Sequence, residues 1–521
     1  FIEITGIDKP LPVGAVKGVV LSSIHELASR YETSNTQVNQ LWKNITWSSY
    51  GNFLSIPTDC PQRNERLGWA GDISVFSRTA TYLADVPQFL RRYLRSMRDV
   101  QRTDGRFPDI APLGGGFGGL LWGSAGITVP WECYQQYGDT ILLSEHYDAM
   151  KRYIQYIIDN TIETETNLIV QTRSWGDLCD WLGLEDEKND KSLVWEAYFI
   201  YDLELMAKMA TVLGKVTDAE WFRELHAARK DFFNKTYIEP ETGKTLFSAF
   251  VPEKKGSHID IQTSYVLPLA FNIIDEENRN KVIANLAETV RRENTTDRGQ
   301  QCPSYSLMTG FIGTSWINKA LSDYGHSDLA YRLLQQTSYP SWLYSIEQGA
   351  TTIWERLNSY TRTDGFGGNN RMNSFNHYSF GAVGAWMYNY SLGIQRDETF
   401  PGFKQFVLKP MPDPTGKMTY ARGYYDSMYG RIESGWKVES GVIRYTFTVP
   451  ANTTATLYLP TASLRDVREK TKPVRKCKGV EFISEGNGEV VLKLLSGSYS
   501  FEVKKDYPLA ARKRKKYVFV R

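Results

Sequence analysis

From about residue 34 to residue 395 one pattern recurs along the chain. Apolar side chains return at three- and four-residue intervals with polar ones between them, the period of helices that bury a single stripe. Ser34 is placed to cap a helix carrying Val38, Leu41, Trp42 and Ile45. Pro87 opens another with Phe89, Leu90, Tyr93, Leu94 and Met97 on one face. Asp139 caps a longer one through Leu142, Leu143, Tyr147, Met150, Ile154, Ile157 and Ile158. Further stripes over 72–83, 124–137, 193–213, 218–233, 264–274, 277–292, 305–324, 328–336 and 377–392 bring the total to about twelve helices. Period-two runs are scarce among them, which argues against a βαβ architecture, and no fixed solenoid repeat of about 34 or 40 residues is present. Six helical hairpins closed into a toroid absorb this many helices. The glycine- and aromatic-rich segments 104–122, 173–184 and 361–375 would then gather at one mouth.

After residue 396 the period changes to two. Short alternating runs cover 405–408, 442–449, 454–459 and 489–494; in the second, Ile443, Tyr445, Phe447 and Val449 face one way and Arg444, Thr446 and Thr448 the other. With Gly, Asn and Pro at the joins, 396–521 reads as an antiparallel β-sandwich. Residues 1–6 and 18–24 also alternate, and 1–33 is expected to hold the last strands of a truncated preceding β-sandwich domain. The fold class expected is therefore mainly α: an (α/α)6 barrel over 34–395, followed by the sandwich, with that β-remnant in front.

Composition removes several function classes. Lys and Arg number 61 against 59 acidic residues, a net charge of +2, which provides no field for nucleic acid. The basic run 512–516 reads as a solvated tail. No apolar run approaches about 18 residues, so no membrane span is expected. The five Cys form no CxxC pair and the six His no HExxH, so neither a cysteine-rich nor a helix-borne zinc site is expected. The run 114–119 (GGGFGG) satisfies GxGxxG by letter but follows a loop rather than a strand, and it reads as a flexible surface loop. Walker A and GxSxG motifs are absent. Aromatics stand out at 13%, with 14 Trp, 31 Tyr and 24 Phe, enough for a large core and for a site that stacks on sugar rings.

The densest chemistry is the run 59–72, DCPQRNERLGWAGD, which sets Asp59, Glu65 and Asp72 beside Arg63, Arg66 and Trp69. A second candidate is 348–356, QGATTIWER, where Glu355 follows Trp354; Glu347 is a rival without that context. Glycoside hydrolysis needs such a pair of carboxyl groups, one to protonate the leaving oxygen and one to activate water or attack the sugar. An apolar neighbour and like charges keep the acid protonated. Arginines turned inward push the other way, so the sequence leaves that balance open.

These runs, together with LWGSAGITVPWECYQQYGD, WGDLCDWL, TGFIGT, GATTIWER and NHYSFGAVGAW, resemble the inverting α-L-rhamnosidases of glycoside hydrolase family 78 over essentially the whole chain. The resemblance implies an (α/α)6 catalytic barrel flanked by β-sandwich domains, with Glu65 as general acid and Glu355 as general base. It implies that Asp59, Arg63 and Asp72 line the sugar subsite and that His377 contacts substrate. Trp69, Trp122, Trp131, Trp175 and Trp181 match or neighbour the aromatics expected around the sugar. Asp177 and Asp180 both fit the family's Gly-Asp-Trp position, and the choice between them stays open. No metal or cofactor is implied. The partner expected is a rhamnose-containing oligosaccharide, polysaccharide or plant glycoside, with aglycone and oligomeric state left open. The competing readings are another (α/α)6 glycosidase or a polysaccharide lyase, and a non-catalytic carbohydrate-binding protein.

Overall fold

A computed structural model describes residues 3–173, 176–366, 373–439 and 441–504 of the chain. Its helices pack in two layers. Ala70–Leu83 touches Ala125–Tyr137, which touches Lys191–Val212, then Gln262–Ala270, then Phe311–Asp323, then the 3-10 turn Ser379–Val383, which returns to Ala70–Leu83. This is a closed ring of six segments. Outside it, Pro87–Asp99, Thr140–Thr161, Val216–Tyr237, Glu276–Arg291 and Ser327–Leu334 each pack on a ring member, and Thr36–Asn52 packs on Trp342–Glu347.

The two layers differ in the way their sequences differ. Pro87–Asp99 buries only Leu90, Tyr93, Leu94 and Met97, the single stripe of a helix with one wet face. Lys191–Val212 is buried over most of its surface, from Leu193 and Val194 through Phe199 and Leu203 to Met209.

Chain ends and caps depart from expectation in several places. The first cap is Asn35 rather than Ser34: Asn35 Oδ1 accepts from the amides of Gln37 (3.0 Å) and Val38 (3.3 Å). Ser34 Oγ instead accepts from the Thr419 amide at 2.8 Å. The helix expected to begin at Tyr305 begins at Phe311, because the amides of Gly310 and Gly313 are held by Asp180. The stretch from residue 377 is no single helix but Ser379–Val383, Gly384–Trp386 and the π-turn Met387–Ser391.

The final region is two stacked sheets. One runs Ser29–Thr33, Tyr420–Ser427, Gly430–Glu439, Val442–Val449, Gly497–Lys504, Val467–Glu469 and Lys472–Pro473; the other runs Val480–Gly486, Glu489–Leu494, Thr454–Leu459, Gln405–Leu408 and Ile394–Arg396. All pairs are antiparallel except Thr454–Leu459 with Gln405–Leu408. Ile443, Tyr445, Phe447 and Val449 are buried, as the alternation required.

At the N-terminus the alternation read at 18–24 does not form a strand. Among the described residues, 3–22 form no strand, only the turn Val13–Ala15, and nearly all are exposed. The end of this segment meets the main body, where the Ser23 amide donates to the Phe53 carbonyl at 2.6 Å. Ser29–Thr33 is a strand, but its partner is Tyr420–Ser427, so it extends the C-terminal sheet.

Candidate active site

The run 59–72 threads from a loop into the ring helix Ala70–Leu83, and two glycines set its path. A Cβ on Gly68 would lie 2.2 Å from the Ala111 carbonyl, and one on Gly71 would lie 2.5 Å from the Trp122 ring. Glycine therefore lets residues 68–70 run against 109–111, where the Ala70 amide donates to the Asp109 carbonyl at 2.7 Å, and lets Trp122 pack flat on the helix start. Asp109 also accepts from the Gly118 amide at 2.9 Å. The 114–119 loop is accordingly pinned at its end, where Gly118 and Gly119 are buried, rather than a free surface loop.

Arg63 is the hub of the cluster. Its Nε donates to Glu65 Oε2 at 2.8 Å and its Nη2 lies 2.5 Å from the same oxygen. Nη1 reaches Glu355 Oε2 at 3.5 Å, and Nη2 lies 3.8 Å from Asp59 Oδ2. The other oxygen of Glu65 accepts from Trp69 Nε1 at 2.8 Å. Arg66 is exposed, so of the two arginines only Arg63 turns inward. Glu355 is buried, and its Oε2 also accepts from the Ser374 amide at 2.9 Å.

Behind this row, Asp72 Oδ1 accepts from Ser379 Oγ at 2.6 Å and pairs with His377 Nε2 at 2.7 Å. Burial opposes a charge on His377, but Asp72, with Glu355 and Asp59, outweighs it and lifts the imidazole pKa to about 8. The His377 ring also lies 5.3 Å from that of Phe311, and its Nδ1 is buried without a hydrogen-bond partner. Asp59 is 1% exposed; Oδ1 accepts from the Leu67 amide at 2.9 Å, while Oδ2 is buried with no hydrogen-bond partner. Burial, with the like charges of Asp72 and Glu65, pushes Asp59 up to about 6 against the pull of His377.

Asp59, Arg63, Glu65, Trp69, Asp72, Glu355 and His377 thus meet in one place although more than three hundred residues separate the first from the last. The remaining predicted residues sit elsewhere. Trp122 is buried, packed against Gly71 and Gly118. Trp131 is buried beside Tyr134, with Lys208 Nζ 5.8 Å above its ring. Trp181 is half-buried on the wall of a cleft of about 510 Å³ that also includes Arg356, Asn373 and Phe380. Asp180 is fully enclosed, its carboxylate accepting from Thr263 Oγ1 (2.5 Å) and the amides of Gly310 (2.8 Å) and Gly313 (3.0 Å). Asp177 is exposed, with Lys191 Nζ at 3.4 Å. Trp175 lies outside the described residues. Glu347 is far from the cluster in environment: it accepts from Gln37 Nε2 at 3.1 Å on the outside of the molecule.

Ser374, Ser379 and Phe311 were not singled out from the sequence. Ser379 stands two residues from His377 at the start of a turn, a weak signal. Ser374 acts through its backbone amide, which leaves no mark on side-chain identity.

Comparison with known proteins gives a consistent picture. Residues 26–391 match the family described as bacterial alpha-L-rhamnosidase 6 hairpin glycosidase domain, and residues 393–473 match the bacterial alpha-L-rhamnosidase C-terminal domain. An alpha-L-rhamnosidase of Streptomyces avermitilis is 36% identical over 505 residues, 96% of this chain and 45% of that protein. One of Formosa agariphila is 33% identical over 514 residues, 97% of this chain and 52% of that protein. The solved structure of the S. avermitilis alpha-L-rhamnosidase complexed with L-rhamnose superposes with a TM-score of 0.79 at 35% identity, covering 93% of this chain and 43% of that one. That of the Dictyoglumus thermophilum enzyme gives 0.80 at 31% identity, covering 94% and 52%. The chain spans about half the length of the curated relatives it matches.

Proposed function

We propose a reaction for a chain that belongs to the bacterial alpha-L-rhamnosidase six-hairpin glycosidase family: hydrolysis of terminal non-reducing α-L-rhamnose from rhamnosides, with inversion at the anomeric carbon. Glu65 is the general acid and protonates the leaving oxygen. Glu355 is the general base and takes a proton from the water that attacks the anomeric carbon from the opposite face. Asp59, Arg63, Asp72 and His377 bind the sugar hydroxyls, and Trp69 belongs to the apolar wall that the sugar's methyl group requires. The scissile bond carries no charge that needs a metal, and two carboxyl groups suffice.

The observation that carries this reading is the separation of Glu65 and Glu355 by one guanidinium. The two carboxylates meet different nitrogens of the Arg63 guanidinium. An inverting pair stands about 6.5–9.5 Å apart so that a water fits beside the sugar, against about 5 Å for a nucleophile that must bond to it. Two further features support the assignment. Glu355 Oε2 is occupied by the Ser374 amide and Arg63, which leaves Oε1 to accept the water's proton. Asp59 Oδ2 and His377 Nδ1, both buried without hydrogen-bond partners, match hydroxyl groups that a bound sugar would supply.

Turnover of an aryl α-L-rhamnoside, followed by NMR of the first-released sugar, tests it. The β-anomer is expected to appear first and to mutarotate afterwards. Initial release of the α-anomer would overturn inversion. An unsaturated product absorbing in the ultraviolet would establish a lyase, and no turnover across a panel of aryl glycosides would establish a binding protein.

A further inference from the structure

The reaction needs no metal, yet the residues around the acid form a chelate. One carboxylate oxygen of Asp59, the Sγ of Cys60 and one carboxylate oxygen of Glu65 all lie within 4.8 Å of one another. Three such atoms can bond a single ion at the usual Zn–O distance of about 2.0–2.2 Å and Zn–S distance of about 2.3 Å. Cys60 is wholly buried, and its thiol has no part in the proposed hydrolysis.

A second observation points to the same place. Asp59 Oδ2, on a side chain 1% exposed, has no hydrogen-bond donor, and it is the oxygen turned toward the Arg63 guanidinium. The Arg63 guanidinium lies 3.8 Å from it, too far for a hydrogen bond. The mixed set of one thiol and two carboxylates is borderline-soft, which selects zinc over calcium or magnesium.

We propose that Asp59, Cys60 and Glu65 form an inhibitory site for a thiophilic divalent cation, Zn²⁺ being the representative. The ion takes the three side-chain atoms and keeps solvent water in its remaining position. As the Zn–S bond forms, the thiol proton passes to solvent and no electron is transferred. The ion displaces that proton from the sulfur. It also competes with Arg63 for Glu65. Inhibition follows because a coordinated Glu65 carries no proton to give to the leaving oxygen; this part rests on the role proposed for Glu65, whereas coordination does not.

The test uses the whole chain with Co²⁺ as a spectroscopic substitute and Zn²⁺ as inhibitor. Expected are a Co²⁺–thiolate charge-transfer band at one equivalent per chain and a loss of aryl α-L-rhamnoside turnover that rises with the same occupancy. Both reverse on addition of a chelator. In Cys60→Ser the band disappears and, measured against that variant's own metal-free rate, zinc inhibition weakens by about tenfold or more, the lower end of what disturbing a metal shell costs. Absence of the band in the unaltered chain, its persistence in Cys60→Ser, or equal inhibition of both proteins overturns the proposal. Cys60→Ala, smaller than the native side chain, replaces the serine variant if that one fails to fold, with the same expected outcomes. Metal-free turnover is read first, so failure of the rhamnosidase reading is seen before any metal is added.

Discussion

Two buried carboxylate clusters in this molecule use the same residue types and reach opposite states. Glu132, in the ring helix Ala125–Tyr137, accepts from Arg78 at 2.7 Å and lies 2.6 Å from Arg396. Burial alone would raise its pKa, but the two arginines overcome that and hold it at about 2. Arg78 in turn stacks 4.9 Å over Trp316. Two cations answer one anion. At the mouth the ratio is reversed: Asp59, Glu65 and Glu355 share the single cation Arg63, while Asp72 takes His377. Asp59 is pushed up to about 6, and polar atoms stay buried without partners. A charge cluster that answers itself holds helices together; one that is short of partners is ready to receive a substrate. The isolated carboxylate Asp180 belongs with the first kind, since backbone amides and Thr263 satisfy it.

Four measurements sharpen or break this contrast. The largest effect is expected for Glu65→Gln and Glu355→Gln, each lowering kcat on an aryl α-L-rhamnoside by about 10²–10⁴-fold, with circular dichroism and melting temperature near those of the unaltered chain. A variant that keeps full rate removes that residue from the chemistry. Glu132→Ala should instead unfold the protein more easily, by about 3–5 kcal/mol in denaturant titration, because it strands two buried guanidinium groups. A loss under about 1 kcal/mol would mean that the paired cluster is not the structural one.

Asp59→Asn should stabilise the fold. Its carboxyl pKa is raised from 3.8 to about 6, so the folded state prefers the protonated form and carries the cost of the charge as pH rises through that window. The neutral amide removes the cost, up to about 3 kcal/mol at pH 7, and the advantage vanishes below about pH 4. Activity falls in the same variant. Equal melting temperatures at pH 7 would show that the mouth is not frustrated.

The smallest effect concerns His377, whose pKa is raised from 6.5 to about 8. The pairing with Asp72 therefore stabilises the fold fully below about pH 6.5 and is lost as pH rises through 8. This amounts to at most about 2 kcal/mol. Melting curves across that range should show the decline in the unaltered chain and its absence in His377→Gln.

Much of the architecture was legible because periodicity is a local property. The stripe of Leu90, Tyr93, Leu94 and Met97, the Asp139 cap and the alternation of Ile443, Tyr445, Phe447 and Val449 each depend only on neighbours in the chain. The Asp-Cys-Pro-Gln-Arg-Asn-Glu run was visible for the same reason. Where elements depend on distant partners, local patterns misled. Residues 18–24 alternate but form no strand, and 305–310 carry a helical pattern overruled by Asp180.

The sequence by itself determined most of the helices and strands and which carboxylates are candidates. Only the tertiary structure decided that Arg63 turns inward and Arg66 outward, that Ser29–Thr33 pairs with Tyr420–Ser427, and that Glu355 comes to the same guanidinium as Glu65. It also turned Asp180 into the interior and set Trp131 beside Lys208. Those outcomes are long-range pairings of charges and hydrogen-bonding groups, and their energies depend on distances that arise when the ring of helices closes.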